Sequence, residues 1–129
     1  MATALSGAQL IINNEVIAYV PNSLMENEGN PESELRSEVV GDGEVQYVAV
    51  RDFTTAKAPV KFDLISTIEN RVLVRGWIDN FAANVIKTVA LEGTTAVYEN
   101  SLITNQVEID TGKDGNITVE FEGKRPLLA

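Results

Sequence analysis

The chain has 129 residues, a formal net charge of −9, and neither cysteine nor histidine. Its length fits one domain spanning residues 1–129. The two missing residue types exclude disulfide frameworks, cysteine-bearing zinc sites, thiol nucleophiles and Ser-His-Asp triads. Any catalysis would then rest on carboxylates, Lys, Tyr or a bound metal. No pattern of these residues indicates such a site, so we expect a protein that is not an enzyme and that binds no cofactor or metal.

The first strands are predicted near the N-terminus, where apolar and polar residues alternate with a period of two. Residues 9–13 and 15–20 flank the turn residues Asn13-Asn14, and Pro21 ends the second strand. This pattern predicts a short antiparallel hairpin.

A long polar hairpin is predicted next. Residues 23–28 and 34–40 alternate weakly on either side of Gly29-Asn30-Pro31, which is a strong turn signal. On this interpretation the even-numbered residues of both strands share one face.

A second long hairpin is predicted after the turn Gly41-Asp42-Gly43, from residues 44–53 and 59–65. Its first strand carries apolar residues on both faces, which a small isolated domain rarely needs. This suggests a surface covered by another subunit. The residues concerned are Val45, Tyr47, Val48 and Val50.

One helix is predicted from Ser66 to about Asp79. Ser66 and Glu69 fit a capping box, and Leu73 and Trp77 are four residues apart and so share a helical face. Trp77 is interpreted as a core residue.

The closing strands are predicted at residues 84–91, 94–99, 106–110 and 117–122. The last follows the turn Lys113-Asp114-Gly115-Asn116 and alternates most regularly. Across the chain, the residues that we predict to anchor the core are Phe62, Leu64, Leu73, Trp77, Val119 and Phe121.

The negative charge is concentrated between Asn22 and Glu44. This segment holds seven acidic residues and one Arg, a net of −6. A glycosidase would need two carboxylates at a fixed separation, one of them desolvated, and the polar surroundings give no sign of desolvation. We therefore interpret these acids as a hydrated acidic surface.

Several stretches of the sequence resemble the tail tube proteins of contractile-tailed bacteriophages. They are QLIINNEVIAYVPNSLMENEG, VVGDGEVQYVAVRDFTTAKAPVKFDL, STIENRVLVRGW and DGNITVEFEGKRP. The order of the predicted elements is also similar to that family, and the resemblance covers essentially the whole chain.

The resemblance implies a mainly β fold, a tail-tube-type β-barrel or sandwich with one flanking helix. It implies hexameric rings stacked into a tube, with each subunit giving two hairpins, residues 22–40 and 44–65, to one barrel around a channel. The implied partners are the tail sheath, baseplate and tail terminator proteins, and the tape measure protein and phage DNA inside the channel. The implied location is the virion, after assembly in the cytoplasm of the bacterial host.

Two sets of residues gain predicted roles from this resemblance. Four glutamates of the first hairpin are predicted to line the channel, where carboxylates would keep DNA phosphates from binding: Glu26, Glu28, Glu34 and Glu38. The tip of that hairpin is predicted to reach the neighbouring ring, and it comprises Gly29, Asn30, Pro31 and Glu32.

Other functions remain open from the sequence. The chain could form the tube of a tailocin or of a type VI-like secretion apparatus, or it could be a small carbohydrate-binding β-sandwich.

No apolar run approaches the ~20 residues needed to cross a bilayer, and no Lys or Arg precedes the first apolar stretch as in a secretory signal. We therefore expect no membrane insertion.

Overall fold

The computed structural model describes residues 8–52, 57–81 and 83–129. This part of the chain is mainly β with one helix, as predicted. Within it, no helix has both the length and the apolar character required to span a bilayer. In chain order the elements are β1 (Gln9–Ile12), β2 (Glu15–Ile17), β3 (Met25–Glu26), β4 (Glu32–Val39), β5 (Val45–Asp52), β6 (Val60–Ile65), α1 (Ile68–Asp79), β7 (Asn84–Val89), β8 (Thr95–Ile103), β9 (Asn116–Glu122) and β10 (Leu127–Leu128).

Most strands belong to one antiparallel sheet in the order β2-β1-β7-β8-β9-β6-β3. Strand β8 is long enough to serve both halves of this sheet. Its first residues pair with β7 on one side and β10 on the other, and its last residues pair with β9. Burial alternates along β6, β7 and β9, so each of these strands turns one apolar face inward, as the period of two requires.

The core is centred on three aromatic rings. Phe62 stacks on Phe121 with ring centroids 6.1 Å apart, and Trp77 of α1 lies 5.8 Å from Phe121 and 6.1 Å from Phe62. Leu64 and Val119 are fully buried beside them, and Leu73 is half-buried against the same cluster. These six residues are the ones that the sequence predicts as core anchors, and α1 docks on the sheet through Leu73, Val74 and Trp77.

The hairpin of β1 and β2 is present as predicted, with Leu10 opposite Ile17. Asn13 and Asn14 both have positive φ angles, 51° and 68°. Asparagine tolerates this left-handed conformation better than most residues, and a type I′ turn requires it at both central positions.

The strand pairing that was predicted within each of the two long hairpins is wrong. Strand β4 pairs with β5 and not with β3, while β6 pairs with β9 and β3 and not with β5. Apolar residues alternate regularly along β6 and β9, so these two strands bury one face together. The apolar residues of β5 fall on both faces and cannot be buried in this way. The predicted strand end at Phe53 lies outside the described residues.

Helix α1 begins one residue later than predicted. Thr67 is the N-cap, and its hydroxyl accepts a hydrogen bond of 3.2 Å from the backbone N–H of Asn70. The side-chain amide of Asn70 donates a hydrogen bond of 2.8 Å to the backbone carbonyl of Ile65. The predicted capping box of Ser66 and Glu69 is therefore wrong, because Asn70 and not Glu69 occupies the third helical position.

The strand predicted at residues 106–110 is also wrong. This segment forms only an isolated bridge between Ile109 and Ile117. The predicted turn before β9 is present, closed by a 3.1 Å hydrogen bond from the N–H of Gly115 to the carbonyl of Gly112. A Cβ at Gly115 would lie 2.1 Å from the Asp110 carbonyl oxygen, so only glycine fits there.

Two glycine substitutions should therefore change stability in opposite directions. Gly115→Ala should lower the free energy of unfolding by about 1–3 kcal/mol, because the new methyl group overlaps backbone atoms. Gly76→Ala should raise it by about 1 kcal/mol, because Gly76 lies within α1 with open space around it and alanine favours helix. Urea unfolding of both variants checks this, and a stable Gly115→Ala protein would contradict the loop geometry.

Candidate functional site

The hairpin of β4 and β5 differs from the other described strands in its pairing and its exposure. Among the described strands, β4 and β5 pair only with each other. Every described side chain from Ser33 to Arg51 is exposed except that of Val40, which is half-buried. An isolated two-stranded hairpin is at best marginally stable in water. We therefore interpret this hairpin as a segment that contact with a partner molecule stabilises.

The register of the hairpin sorts its side chains onto two faces, because residues opposite each other in an antiparallel pair point the same way. One face, called the apolar face from here on, consists of Ser33, Leu35, Ser37, Val39, Val45, Tyr47, Ala49 and Arg51. The other, called the charged face, has as its described side chains Glu34, Arg36, Glu38, Gln46, Val48 and Val50.

The apolar face is largely open to solvent. Leu35 is 70% exposed, Val39 74% and Tyr47 68%. Large apolar side chains that stand together on a soluble protein indicate an interaction surface. On the charged face, Arg36 and Glu34 form an ion pair of 3.2 Å. Such an exposed pair contributes little to stability.

The four glutamates predicted to share one hairpin face do not do so. Glu34 and Glu38 lie on β4, whereas Glu26 lies on β3, which pairs with β6. Glu28 lies between β3 and β4 and is exposed. The lining of a channel by Glu34 and Glu38 stays a prediction. For Glu26 the structure shows a different environment.

The carboxylate of Glu26 connects β3 to the other half of the sheet. Its Oε1 accepts hydrogen bonds from the Tyr98 hydroxyl at 2.8 Å and from the Thr88 hydroxyl at 2.5 Å. Tyr98 and Thr88 are buried. Burial, the hydrogen bond to Glu26 and the charges of Glu26 and Glu28 raise the pKa of Tyr98 well above its ordinary value. Burial, followed by the charge of Glu26, also raises the pKa of Tyr19.

This arrangement predicts an alkaline limit to stability. The folded state holds the Tyr98 proton more tightly than the unfolded chain, so the free energy of unfolding should fall as the pH rises above ~10, the ordinary tyrosine pKa. In Tyr98→Phe the decline should be smaller, with Tyr19 retaining part of it. At neutral pH this variant should lose about 1–3 kcal/mol, because Glu26 loses a donor. Urea unfolding at several pH values checks both effects, and Tyr47→Phe, with an exposed ring, serves as the control.

The predicted inter-ring loop does not occupy a hairpin tip. Gly29 and Pro31 are buried, and a Cβ at Gly29 would come within 3.2 Å of Ala58 and Arg125. The segment is a packed connection between β3 and β4, with Asn30 exposed, and Glu32 begins β4. Whether these residues contact a neighbouring ring stays a prediction.

The true tip of the long hairpin is Gly41-Asp42-Gly43. The chain turns there through hydrogen bonds from the Val40 N–H to the Glu44 carbonyl at 2.9 Å and from the Gly43 N–H to the Val40 carbonyl at 2.8 Å.

A second exposed apolar surface lies on the outer side of α1. A shallow groove of about 420 Å³ is lined by Glu15, Ile68, Glu69, Val72 and Leu73, and we call it the α1 groove. Ile68 and Val72 are not among the site residues predicted from the sequence. Their spacing of four residues, on the face opposite Val74 and Trp77, is the signal that identifies them.

Neither surface resembles a metal or cofactor site. Across residues 8–52, 57–81 and 83–129, no three acidic side chains cluster in a geometry that could hold a metal ion. The chemistry that both surfaces offer is apolar contact with a rim of charge, which suits protein association.

No protein-family model matches the sequence, and no curated protein matches it. Solved structures do match the fold, and three are components of contractile injection systems. A chain of the anti-feeding prophage cap, the tube terminating cap, aligns with a TM-score of 0.64 and 8% identity over 100% of this chain and 91% of that one.

The other two come from an extracellular contractile injection system named PVC. A chain of its sheath/tube terminator in the extended state gives a TM-score of 0.68 with 10% identity, over 100% of this chain and 97% of that one. A chain of its sheath-tube complex gives 0.60 with 10% identity, over 99% and 91%. This chain therefore has a fold that occurs in structural components of contractile injection systems.

Proposed function

We propose that this chain is a structural subunit of a phage tail tube, in which the β4–β5 hairpins of neighbouring copies join into a barrel around a channel for DNA. The observation that carries the proposal is the solvent exposure of this hairpin on both faces. The similarity of the fold to contractile injection system components supports a role in a tail-like particle.

Closure into a ring would remove two costs that the hairpin carries in the free subunit. Its outer strand edges present unpaired backbone groups, and pairing them with neighbouring copies in a closed barrel leaves no free edge. Its apolar face would also leave water, which is the main driving force of association. In a hexameric ring each copy would gain both the pairing of its strand edges and the burial of its apolar face.

The two faces of the hairpin suggest how it would be oriented. A water-filled channel keeps ionised side chains hydrated, so the charged face with Glu34 and Glu38 would line the channel. The apolar face would then pack outward against the subunit bodies. Proteins that hold DNA do so with Lys and Arg, and carboxylates along the wall would let DNA pass without lasting contacts.

A tube-terminating subunit is the second candidate. Two of the structures with a matching fold, a tube terminating cap and a sheath/tube terminator, favour it. A terminator would form one ring that binds the end of a tube, whereas a tube subunit would form rings that stack without limit. Sheath, baseplate and tape measure proteins are expected partners in both cases. A tailocin or a secretion tube would share the assembly but not the DNA.

The carbohydrate-binding alternative is weakened by the placement of the aromatic residues. Such modules usually present a flat strip of exposed rings. Here Phe62, Trp77, Tyr98 and Phe121 are buried, so they cannot contribute to one.

Electron microscopy and sedimentation of the purified protein over a concentration series test the proposal. A tube subunit should form stacked rings, and a terminator single rings. Added salt should favour assembly, because screening weakens the repulsion between acidic subunits. A protein that stays monomeric at high concentration and in high salt would contradict both candidates.

A further inference from the structure

The α1 groove and the apolar face are two exposed apolar surfaces on one chain. Ile68 is 69% exposed and Val72 64%, and Leu35 and Tyr47 of the apolar face are exposed to a similar degree. The two surfaces therefore do not cover each other within the same chain. Each would gain from burial against a surface of the same kind on another molecule.

The charges on the two surfaces are complementary. The groove combines an apolar floor with the carboxylates of Glu15 and Glu69 at its rim. The apolar face carries Arg51 as the sole charged side chain among its described residues. Complementary charges fix the register of an interface and suppress wrong partners.

We propose that the α1 groove is the docking site for the apolar face of the β4–β5 hairpin of an adjacent copy of this chain. Leu35, Tyr47 and their neighbours would cover Ile68 and Val72, with Arg51 close to Glu15 and Glu69. This inference rests on the proposed function and extends it, because it names the surface that receives the hairpin.

We choose a second copy of this chain as the partner because each copy carries both surfaces, the apolar face with Arg51 and the groove with Glu15 and Glu69. A ring places many copies of the hairpin beside many copies of the groove, so one pair of matched surfaces serves every subunit contact. The contact is heterologous, since it joins two different surfaces, and heterologous contacts are those that generate rings.

Crosslinking between single-cysteine chains tests this contact directly. The natural chain has no cysteine, so introduced thiols react without background. One chain would carry Tyr47→Cys and a differently tagged chain Val72→Cys. After the two are mixed under assembly conditions, a short thiol-reactive crosslinker should join them. The matched control replaces the first chain with Val48→Cys, one residue along the strand on the charged face.

The expected result is at least fivefold more crosslinked pair from positions 47 and 72 than from 48 and 72. A pair with Val39→Cys in place of Tyr47→Cys repeats the test if loss of the tyrosine ring weakens assembly. An equal or larger yield from position 48 would overturn the proposal. Particles that assemble without either crosslink would overturn the groove contact and leave the proposed function standing. Failure of the natural chain to assemble would overturn both.

A charge exchange gives a second measurement. Arg51→Glu and Glu15→Arg should each raise the concentration needed for assembly by about tenfold, and the two substitutions together should restore it. Glu15 is preferred to Glu69 for this test, because an acid in the first turn stabilises α1 itself. No rescue in the double variant would count against the pairing of these charges.

Discussion

A subunit with both Leu35→Asp and Tyr47→Asp should stay folded and lose assembly. Both side chains are exposed in the free subunit, so charging them costs the fold little. In the assembly each would lose about 1.5–3 kcal/mol of apolar burial and would place a carboxylate in the interface. A loss of even ~3 kcal/mol per contact raises the required concentration more than 100-fold. Sedimentation checks the assembly, and thermal unfolding checks the fold.

The control uses the other face of the same hairpin. Val48→Asp with Val50→Asp adds the same two charges, but to a surface that we place toward water. This variant should still assemble, with a greater need for salt. If it fails to assemble while the Leu35→Asp, Tyr47→Asp protein forms particles, the orientation of the hairpin is the reverse of the one proposed.

Replacing Glu34 and Glu38 by Lys should produce particles that retain DNA. Each substitution changes a charge from −1 to +1, so the two together add two positive charges per copy, remove two negative ones and raise the net charge by four. Phosphates neutralised by Lys release counterions, and the binding that results weakens steeply with salt. Retention of labelled single- and double-stranded DNA, measured as a function of salt, checks this expectation.

Glu92→Lys with Glu108→Lys is the matched control for that experiment. Both glutamates are exposed and lie outside the hairpin, and the net charge changes by the same amount. Equal DNA retention by the two variants would mean that the net charge of the protein determines retention. It would contradict the prediction that Glu34 and Glu38 line a channel.

Local signals in the sequence were sufficient for some elements. The β1–β2 hairpin follows from Asn13-Asn14, because both residues tolerate the backbone that a tight turn requires. Strand β9 follows from the alternation of Ile117, Val119 and Phe121. Helix α1 follows from Leu73 and Trp77 on one face, although its N-cap was misplaced by one residue because Ser66 and Thr67 are both good caps.

The partners of the strands could not be predicted from local sequence signals. The turn signals Gly29-Asn30-Pro31 and Gly41-Asp42-Gly43 flank the same polar strand, and a period of two assigns faces without choosing a partner. Packing decides the outcome, since Gly29 lies against Ala58 and Arg125, residues far along the chain.

The environment of Glu26 shows the same limit for a single side chain. In sequence it is one acid among many in a polar segment, and its partners Thr88 and Tyr98 lie 62 and 72 residues away. No local pattern distinguishes it from Glu34, yet Glu26 accepts two buried hydroxyl donors while Glu34 pairs with an exposed Arg36.

The separation of the β4–β5 hairpin from the remaining described strands also affects how the free protein should respond to denaturant. The slope of unfolding free energy against urea concentration scales with the surface that unfolding exposes. Because the hairpin side chains are already in water, its 21 residues, from Glu32 to Asp52, add little to that slope. The free subunit should therefore show the urea slope of a shorter chain. The slope expected for the full length should appear only when neighbouring copies cover the hairpin.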